Sequence, residues 1–401
     1  MLFQIEWLAY HYHVLPLRRL IVFADPHSRT SPEPILNRWR DRINITLWHE
    51  KDVYPNGIPP PPNPKKKTTK LGEHRARQRR FIRNCLQTLH MEGRAWVVLT
   101  DTDEYTMTNP RILDPMDPLS PMNYTGKQFD LPSQLDSGSV MKILKMQDVQ
   151  IPQTGQHVYN NPCITMARKN FGTKAAQNDD VTIVGYQAYN FQTIHWRYYD
   201  KTFKPGKALV NLKELRFEDI SSHPSVHRPI VDHDICKGKL TVPEHQSVFV
   251  THHYPGNLEQ MLFRVYDARG DATNATAYRI ERFNQYKKFS DLYESETIQL
   301  WLNGFVDAVG LDEAKRLLEF IGLPKEAAYL DVETNNGAEM TVSEIVDDDG
   351  GSETKPSMAS RNDPDSFSGC LQIMDDNHFL IEVSHSKLLF FLIVVIIAPY
   401  L

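Results

Sequence analysis

An apolar run that ends abruptly in acidic residues constrains the fold of this chain more than any other feature. Residues 96–99 are entirely apolar, and after Thr100 come Asp101, Asp103 and Glu104. A short apolar run bounded by polar residues is typical of a buried strand in a parallel sheet. Open α/β sheets bind ligands just beyond the carboxyl ends of their strands. The run therefore predicts a buried strand with a ligand site at its acidic end.

The two aspartates have the chemistry of a metal-held diphosphate site. Mg²⁺ and Mn²⁺ prefer oxygen ligands and are often held by one or two carboxylates together with substrate phosphates. Asp101 and Asp103, one residue apart, fit this description. The alternative is structural, because acids that follow a strand commonly cap the next helix. The tripeptide Asp101-Thr102-Asp103 alone leaves both interpretations open, the metal site and the helix cap.

Helices and strands alternate before the acidic run, which is the pattern of an α/β fold. The strand predicted over residues 20–24 leads into a turn-rich loop that begins at Asp25. The other elements predicted here are helices over residues 6–12, 33–40 and 73–91 and strands over residues 43–47 and 95–100.

A basic run precedes the acidic strand. Residues 65–83 carry nine bases and one acid, and a proline-rich insertion stands before them. Nucleic-acid binding is one interpretation of such a run. However, apolar residues recur at helical spacing, which favours a solvated face of an amphipathic helix and no nucleic-acid partner. A third interpretation is that one or two of these arginines face ligand phosphates.

The later part of the chain gives weaker signals. A strand over residues 247–251 ends in His252 and His253, and neutral imidazole is a common metal ligand. Residues 188–199 are rich in aromatic residues, which suits half-buried strands more often than sugar binding. The remaining predictions are a proline-rich loop over 109–139, a strand over 147–152, a turn over 169–174, and helices over 277–289, 295–309 and 312–321.

Composition divides the chain into three parts: residues 1–325, 326–386 and 387–401. The net charge is −5, but residues 331–376 hold 12 acids and 2 bases, so the rest has a balance of about +5. The acidic stretch has the composition of a disordered tail. The apolar run at 388–401 is short for a membrane span. A marginal membrane anchor, or a segment that results from a wrongly predicted reading frame, is favoured over a buried strand.

Cysteines and sequons give limited information about the compartment. Cys85, Cys163, Cys236 and Cys370 form no Cys-x-x-Cys pair, which excludes zinc-ribbon and thioredoxin motifs. Their even number permits one or two disulfides. Three sequons, at Asn44, Asn123 and Asn274, are compatible with a secretory lumen but are close to the chance number. The first residues do not have the pattern of a cleavable signal peptide.

Several blocks in order resemble glycosyltransferase family 92. That family has a Glu-Trp-x-x-Tyr-His helix, here beginning at Glu6, and an aromatic apolar strand ending in Asp-x-Asp-Glu-aromatic, here residues 101–105. Asn170-Phe171-Gly172-Thr173, Ser225-Val226-His227-Arg228-Pro229 and Thr251-His252-His253-Tyr254 resemble its later landmarks. The resemblance spans residues 5–290.

The resemblance implies a GT-A glycosyltransferase: a Rossmann-type three-layer α/β/α fold with a mixed central sheet, using Mn²⁺ (or Mg²⁺) and facing the Golgi lumen from a membrane. It implies transfer of a hexose from a nucleoside-diphosphate sugar to a hydroxyl of a glycan or glycoconjugate. Asp101, Asp103 and His252 would hold the metal, and Asp25, Asp101 and Glu104 would contact the donor. Asp179 or Asp180 would be the general base.

Two departures from the family pattern shape the expectations. The family has a strand before the Glu-Trp helix and an N-terminal membrane anchor, and both are missing from this sequence. We therefore expect a sheet without its first strand and a weakened nucleotide site. Two other functions stay open: a metal-dependent phosphotransferase or nucleotidyltransferase, and a non-catalytic glycan-binding or scaffold protein that keeps the fold.

Overall fold

The computed structural model describes part of the chain in detail: residues 2–26, 31–57, 70–113, 136–151, 155–172, 191–200, 206–220, 227, 242–256, 258, 275–289, 293–295, 301–319 and 392–397. The chain divides into two compact units. One comprises Met1–Ile321 with Asp376–Leu401, and the other comprises Gly322–Asp375. The second unit, the predicted acidic tail and most of the predicted loop at 109–139 lie outside the described residues.

The first unit contains both helices and strands, which confirms a mixed α/β class. The helices are α1 (Leu2–Val14), α2 (Glu33–Trp39), α3 (Glu50–Val53), α4 (Lys70–Met91), α5 (Pro110–Leu113), α6 (Ser139–Lys145), α7 (Gln192–His195), α8 (Ala275–Phe289), α9 (Trp301–Val309) and α10 (Leu311–Leu318). The strands are β1 (Leu17–Phe23), β2 (Asn44–Trp48), β3 (Trp96–Asp101), β4 (Glu104–Thr108), β5 (Cys163–Phe171), β6 (Tyr198–Asp200), β7 (Lys207–Asn211), β8 (Phe249–His253), β9 (Tyr293–Glu294) and β10 (Leu392–Ile397).

The described strands form a curled mixed sheet. Its order is β2-β1-β10-β3-β7-β5-β6-β9, and a branch adds β8 beside β5 and β4 beside β8. β1 and β2 are parallel, as the α/β pattern predicts. The parallel prediction is wrong for β3, because both of its neighbours, β10 and β7, run antiparallel to it.

The apolar C-terminal segment is the unexpected part of this sheet. A buried strand was the least favoured prediction for this segment. Leu392–Ile397 nevertheless forms strand β10, which is hydrogen-bonded to β1 on one side and to β3 on the other. The run consists of leucine, isoleucine and valine, which suits a strand enclosed on both sides. Among the described residues, none of the helices combines the length and apolarity needed to cross a membrane.

The amphipathic helix predicted before β3 is confirmed as α4. Its apolar face is fully buried through Phe81, Ile82, Cys85, Leu86 and Leu89. On the opposite face Arg79 and Arg80 are exposed. The part of the basic run that the structure describes is thus a solvated helix face, with one exception, Arg77, which is buried.

Candidate active site

The acidic stretch forms a tight turn between two strands. β3 ends at Asp101, β4 begins at Glu104, and Thr102 and Asp103 connect them. The buried Glu104 carboxylate accepts hydrogen bonds from the backbone N–H of Asp101 (3.0 Å) and from the Thr100 hydroxyl (3.3 Å). The Asp103 carbonyl accepts from the backbone N–H of Tyr254 (2.8 Å). Glu104 therefore has a structural role inside the turn.

Side chains of helix α1 hold the backbone of this turn through hydrogen bonds. The Trp7 indole Nε1 donates to the carbonyl oxygens of both Asp101 (3.1 Å) and Glu104 (2.9 Å). Tyr10, three residues later, donates its hydroxyl to the Thr106 carbonyl (3.2 Å). Residues at i and i+3 share one helix face, so one face of α1 donates hydrogen bonds both to the turn and to the strand that follows it.

His11 completes this helix face as a neutral imidazole. Its Nδ1–H donates to the Trp7 carbonyl (2.8 Å), and its Nε2 accepts from the backbone N–H of Thr106 (3.4 Å). Burial lowers the pKa of His11 to about 3. The Tyr-His part of the helix motif thus serves the scaffold of the acidic turn.

Glu6, the first residue of the same motif, holds a distant segment. Its carboxylate accepts from the backbone N–H groups of Gln192 (2.7 Å) and Thr193 (2.9 Å) at the start of α7, and from the Thr193 hydroxyl (2.5 Å). Burial raises the pKa of Glu6 to about 7, although these hydrogen bonds oppose the rise. Glu6 is therefore a structural carboxylate that joins α1 to α7.

A buried lysine and a half-buried arginine offset most of the negative charge of the acidic turn. The Lys207 ammonium, 1% exposed, lies 2.9 Å from Asp101 Oδ2 and 2.7 Å from Glu104 Oε2. Arg168 Nε lies 3.0 Å from Glu104 Oε1. Burial is the largest influence and would raise the pKa of Asp101, but the charge and hydrogen bond of Lys207 together with the Arg168 charge outweigh it, and the pKa is lowered. The Asp101 carboxylate is therefore ionised, and its side chain remains 33% exposed.

Lys207 is held in place by close backbone packing at the start of β7. A Cβ atom on Gly206 would clash with the Met166 carbonyl oxygen of β5, so only glycine fits there. His227 donates through Nδ1 to the Gly206 carbonyl (2.5 Å). Burial, and then the nearby Lys207 charge, lower the pKa of His227 to about 3.

His253 faces Asp103 from strand β8. Its Nε2 lies 3.5 Å from Asp103 Oδ2, and its Nδ1 lies 3.1 Å from Asn170 Oδ1. Because an amide oxygen only accepts, we assign the proton to Nδ1. Burial, and then Arg168, lower the pKa of His253 although Asp103 opposes this. His253 Nε2 therefore faces a carboxylate, and either a proton on Nε2 or a shared cation between the two groups would stabilise the pair.

His252 lies on the opposite face of β8. It pairs with Tyr105 in the ladder, its ring centroid is 4.7 Å from that of Phe171, and its Nδ1 is 3.4 Å from the Tyr254 hydroxyl. Adjacent residues of a strand point to opposite sides. The structure thus brings His253, rather than the predicted His252, to Asp103.

Asp25 lies at the same edge of the sheet, beyond the end of β1. It is buried, 3.4 Å from His74 Nδ1 and 3.5 Å from Arg77 Nε. Arg77 Nε and Nη2 have no hydrogen-bond partner among the described residues. Phe23 of β1 and Asp101 of β3 are both register partners of Leu392, which places them about 10 Å apart, two strand spacings.

The described donors fit a divalent cation in part. Two ligand atoms about 2.1 Å from one ion are about 3.0–3.4 Å apart, close to the 3.5 Å between His253 Nε2 and Asp103 Oδ2. Asp101 is engaged by Lys207 instead. No group of three or more metal-ligating side chains converges within the described ranges. Asp179 and Asp180, the general-base candidates, lie outside those ranges.

Sequence reasoning missed Lys207, Arg168 and the choice of His253. Arg168 and Asn170 alternate along β5, and Asn170 is the register partner of His253 on the parallel strand β8. This period-two pattern was the available signal, but it needs the strand pairing before it can be used. Comparison of the sequence with protein-family models and with curated proteins gives no match. The case for a function therefore rests on the geometry of this site and on the ordered motifs of the sequence.

Proposed function

We propose that this protein is a metal-dependent glycosyltransferase that moves a hexose from a nucleoside-diphosphate sugar to a hydroxyl of a glycan or glycoconjugate. One observation carries the proposal: the Asp103 carboxylate and His253 Nε2 lie 3.5 Å apart beside the ionised Asp101. They do so at the end of β3, level with the end of β1, where open sheets bind ligands.

The GT-A fold is part of this proposal. It is supported by the shared direction of β2, β1 and β3, by the helices between them, and by the acidic turn after β3. The Glu-Trp-x-x-Tyr-His helix supports the resemblance to family 92, because Trp7, Tyr10 and His11 hold this turn and the strand after it, and Glu6 joins the same helix to α7.

The residues would divide the work by position. Asp103 and His253 would hold Mn²⁺ (or Mg²⁺), which supplies Lewis-acid neutralisation of the leaving diphosphate. Asp101, an ionised carboxylate, would act on the diphosphate only through that cation. Arg77 Nη2, which has no hydrogen-bond partner among the described residues, would offer a donor to the nucleoside near the end of β1, with Asp25 beside it as an acceptor. Asp179 or Asp180 stays the proposed general base on the acceptor hydroxyl.

One observation favours a second candidate. Lys207 and Arg168 already offset two of the three negative charges of the turn, which lowers the electrostatic gain from a metal ion there. A protein with this arrangement could bind a nucleotide sugar or glycan without turnover. This non-catalytic function is our second proposal.

Transfer assays with the variant Asp103→Asn test the leading proposal. We expect Mn²⁺-dependent release of nucleoside diphosphate from a uridine- or guanosine-diphosphate hexose in the presence of acceptor glycans. Loss of the Asp103 charge should reduce this rate about 100-fold or more. Asp307→Asn, an exposed acid on α9, is the matched control and should keep full activity.

The outcomes separate the candidate functions. Nucleotide binding by isothermal titration with no turnover for any donor supports the non-catalytic protein. Phosphate or pyrophosphate release from a nucleoside triphosphate, in place of sugar transfer, would support the phosphotransferase or nucleotidyltransferase class. Absence of binding to uridine or guanosine diphosphate with Mn²⁺ would refute the glycosyltransferase proposal.

The compartment belongs to the same proposal. Cys163 is in a disulfide bond, whereas Cys85 is free and buried. Structural disulfides persist in oxidising compartments such as the secretory pathway. This supports a protein of the Golgi lumen, as the resemblance implies.

A further inference from the structure

Of the three sequons in the sequence, the structure describes the one at Asn44. Asn44 is the first residue of β2 and is exposed, Ile45 is buried, and Thr46 is half-buried. The other two sequons, at Asn123 and Asn274, lie outside the described residues. Because a glycan is bulky and hydrophilic, a sequon asparagine can carry one only where its side chain reaches solvent in the folded protein. Asn44 meets this requirement.

The fold accounts for the threonine of this sequon but not for its asparagine. The Thr46 hydroxyl accepts a hydrogen bond from Arg19 Nη1 (2.7 Å), and the buried Arg19 is also paired with Glu92 (2.7 Å). The Asn44 side chain, in contrast, has no hydrogen-bond partner within the described ranges. Asparagine is depleted in strands. The contacts of the described residues therefore give no structural reason for asparagine at this position.

β2 lies at an open edge of the sheet. It stands last in the strand order, and among the described strands it is hydrogen-bonded on one side, to β1. Proteins commonly protect such edges with charged residues, proline or a bulge, because an open edge can pair with another chain. The sequence of β2, Asn-Ile-Thr-Leu-Trp, contains neither a charge nor a proline, and its register with β1 has no bulge. A glycan on Asn44 would supply the missing protection.

The position of Asn44 keeps such a glycan away from the ligand edge. Trp48, at the other end of β2, pairs with Phe23, which lies close to Asp25, whereas Asn44 pairs with Arg19. At about 3.3 Å per residue, the two ends of β2 are separated by about 13 Å. The candidate active site therefore stays accessible when Asn44 is modified.

We propose that Asn44 is an N-glycosylation site and that its glycan covers the open edge of β2. The amide nitrogen of Asn44 forms a bond to the anomeric carbon of an oligosaccharide carried on a lipid diphosphate. The bond between that carbon and the diphosphate oxygen breaks, the diphosphate leaves with the electron pair, and the amide loses one proton. The oligosaccharide donor and its transferase are those of the secretory lumen, so the proposal rests on the compartment of the proposed function and not on its chemistry. The disulfide at Cys163 supports that compartment.

Peptide mapping of the full chain, produced in eukaryotic cells, tests the modification. We expect the peptide that contains Asn44 to carry a glycan in most chains, and we expect peptide-N-glycosidase to remove the glycan and leave aspartate at this position. Thr46→Ser, which keeps both the sequon and a hydroxyl for Arg19, should keep the glycan, whereas Thr46→Val should lose it. A peptide that carries no glycan at Asn44 in the unaltered chain would overturn the proposal.

Self-association of the purified variants tests whether the glycan covers the edge. Asn44→Gln is compared with Asn37→Gln, a change at another exposed asparagine that lies outside any sequon. We expect Asn44→Gln to associate at a concentration about tenfold lower than Asn37→Gln, because the edge of β2 can then pair with a second chain. Size-exclusion chromatography over a concentration series measures this difference. Equal association of the two variants would overturn the protective role of the glycan.

These results can be separated from the test of the proposed function. A glycan at Asn44 on a chain that binds no uridine or guanosine diphosphate with Mn²⁺ would leave the modification site standing while the glycosyltransferase proposal fails. Transfer of a hexose by a chain that carries no glycan at Asn44 would do the reverse.

Discussion

Two buried ionisable residues on α1 respond to pH in opposite directions. The pKa of Glu6 is raised from 4.5 to about 7, and that of His11 is lowered from 6.5 to about 3, in both cases through burial. Between pH 4.5 and 7 the folded protein keeps a proton on Glu6 that the unfolded chain has lost. Stability from Glu6 is therefore full below pH 4.5 and is lost as the pH rises to 7. Stability from His11 is full above pH 6.5 and is lost as the pH falls towards 3.

This opposition gives a measurable prediction at the residue scale. The difference in unfolding free energy between the unmodified protein and Glu6→Gln should fall by about 1.4 kcal/mol per pH unit from pH 4.5 to 7. For His11→Gln the corresponding difference should rise by about 1.4 kcal/mol per unit up to pH 6.5. Denaturant titrations at several pH values measure both slopes. Stability differences that do not change with pH, or that change in the same direction for both variants, would contradict the assigned protonation states.

The adjacent histidines show what could and could not be predicted for single residues from the sequence. The sequence predicted a late histidine at the site, and the strand in which it lies was placed within two residues. Which of His252 and His253 faces Asp103 depends on the side of β8 that the turn approaches. Lys207 was missed for a similar reason, since a lysine before a short apolar run gives no sign of burial.

At the element scale, α1 acts as the support of the acidic turn. Trp7 donates one N–H to two carbonyl oxygens that bracket the turn, and Tyr10 and His11 hold the strand that follows. The site thus depends on a helix whose own side chains do not reach the proposed ligands.

Trp7→Phe should therefore cost more than a matched change elsewhere. Trp7 and Trp39 are both fully buried, but Trp39 Nε1 has no hydrogen-bond partner in the described part of the chain. Both Phe variants lose a similar volume, whereas only Trp7→Phe takes the indole donor away from two carbonyls, which also accept from the Thr100 hydroxyl at 3.2 and 3.3 Å. We expect it to be less stable than Trp39→Phe by about 1–3 kcal/mol, measured by denaturant unfolding. Equal losses would argue against the supporting role of Trp7.

Elements with a strong local pattern were predictable, and elements defined by distant partners were not. The apolar face of α4 and the continuous run of β3 were both predicted to within about three residues. The predicted turn at 169–174 is wrong over residues 169–171, where β5 continues to Phe171. β4, β5 and β7 carry polar residues, among them Glu104, Arg168 and Lys207, that pair with one another. The period-two alternation along β4 and β5 can be used only once the strand pairing is known.

At the scale of the whole molecule, one disulfide bears on stability and on the compartment. Cys163→Ala should lower the free energy of unfolding by about 2–4 kcal/mol. Reductant should destabilise the unmodified protein and the control Cys85→Ala by a similar amount, and should leave Cys163→Ala unaffected. If reductant does not change the stability of the unmodified protein, the support for an oxidising compartment is removed.

The position of β10 in the sheet has a consequence for synthesis. β3 is complete at residue 101, whereas β10 is complete only at residue 397, which is 296 residues later. At a translation rate of 5–20 residues per second, β1 and β3 emerge about 15–60 s before the strand that joins them. Until then the nascent chain carries two exposed apolar strand edges. Its yield in the cell would therefore depend on chaperones that shield this gap during translation.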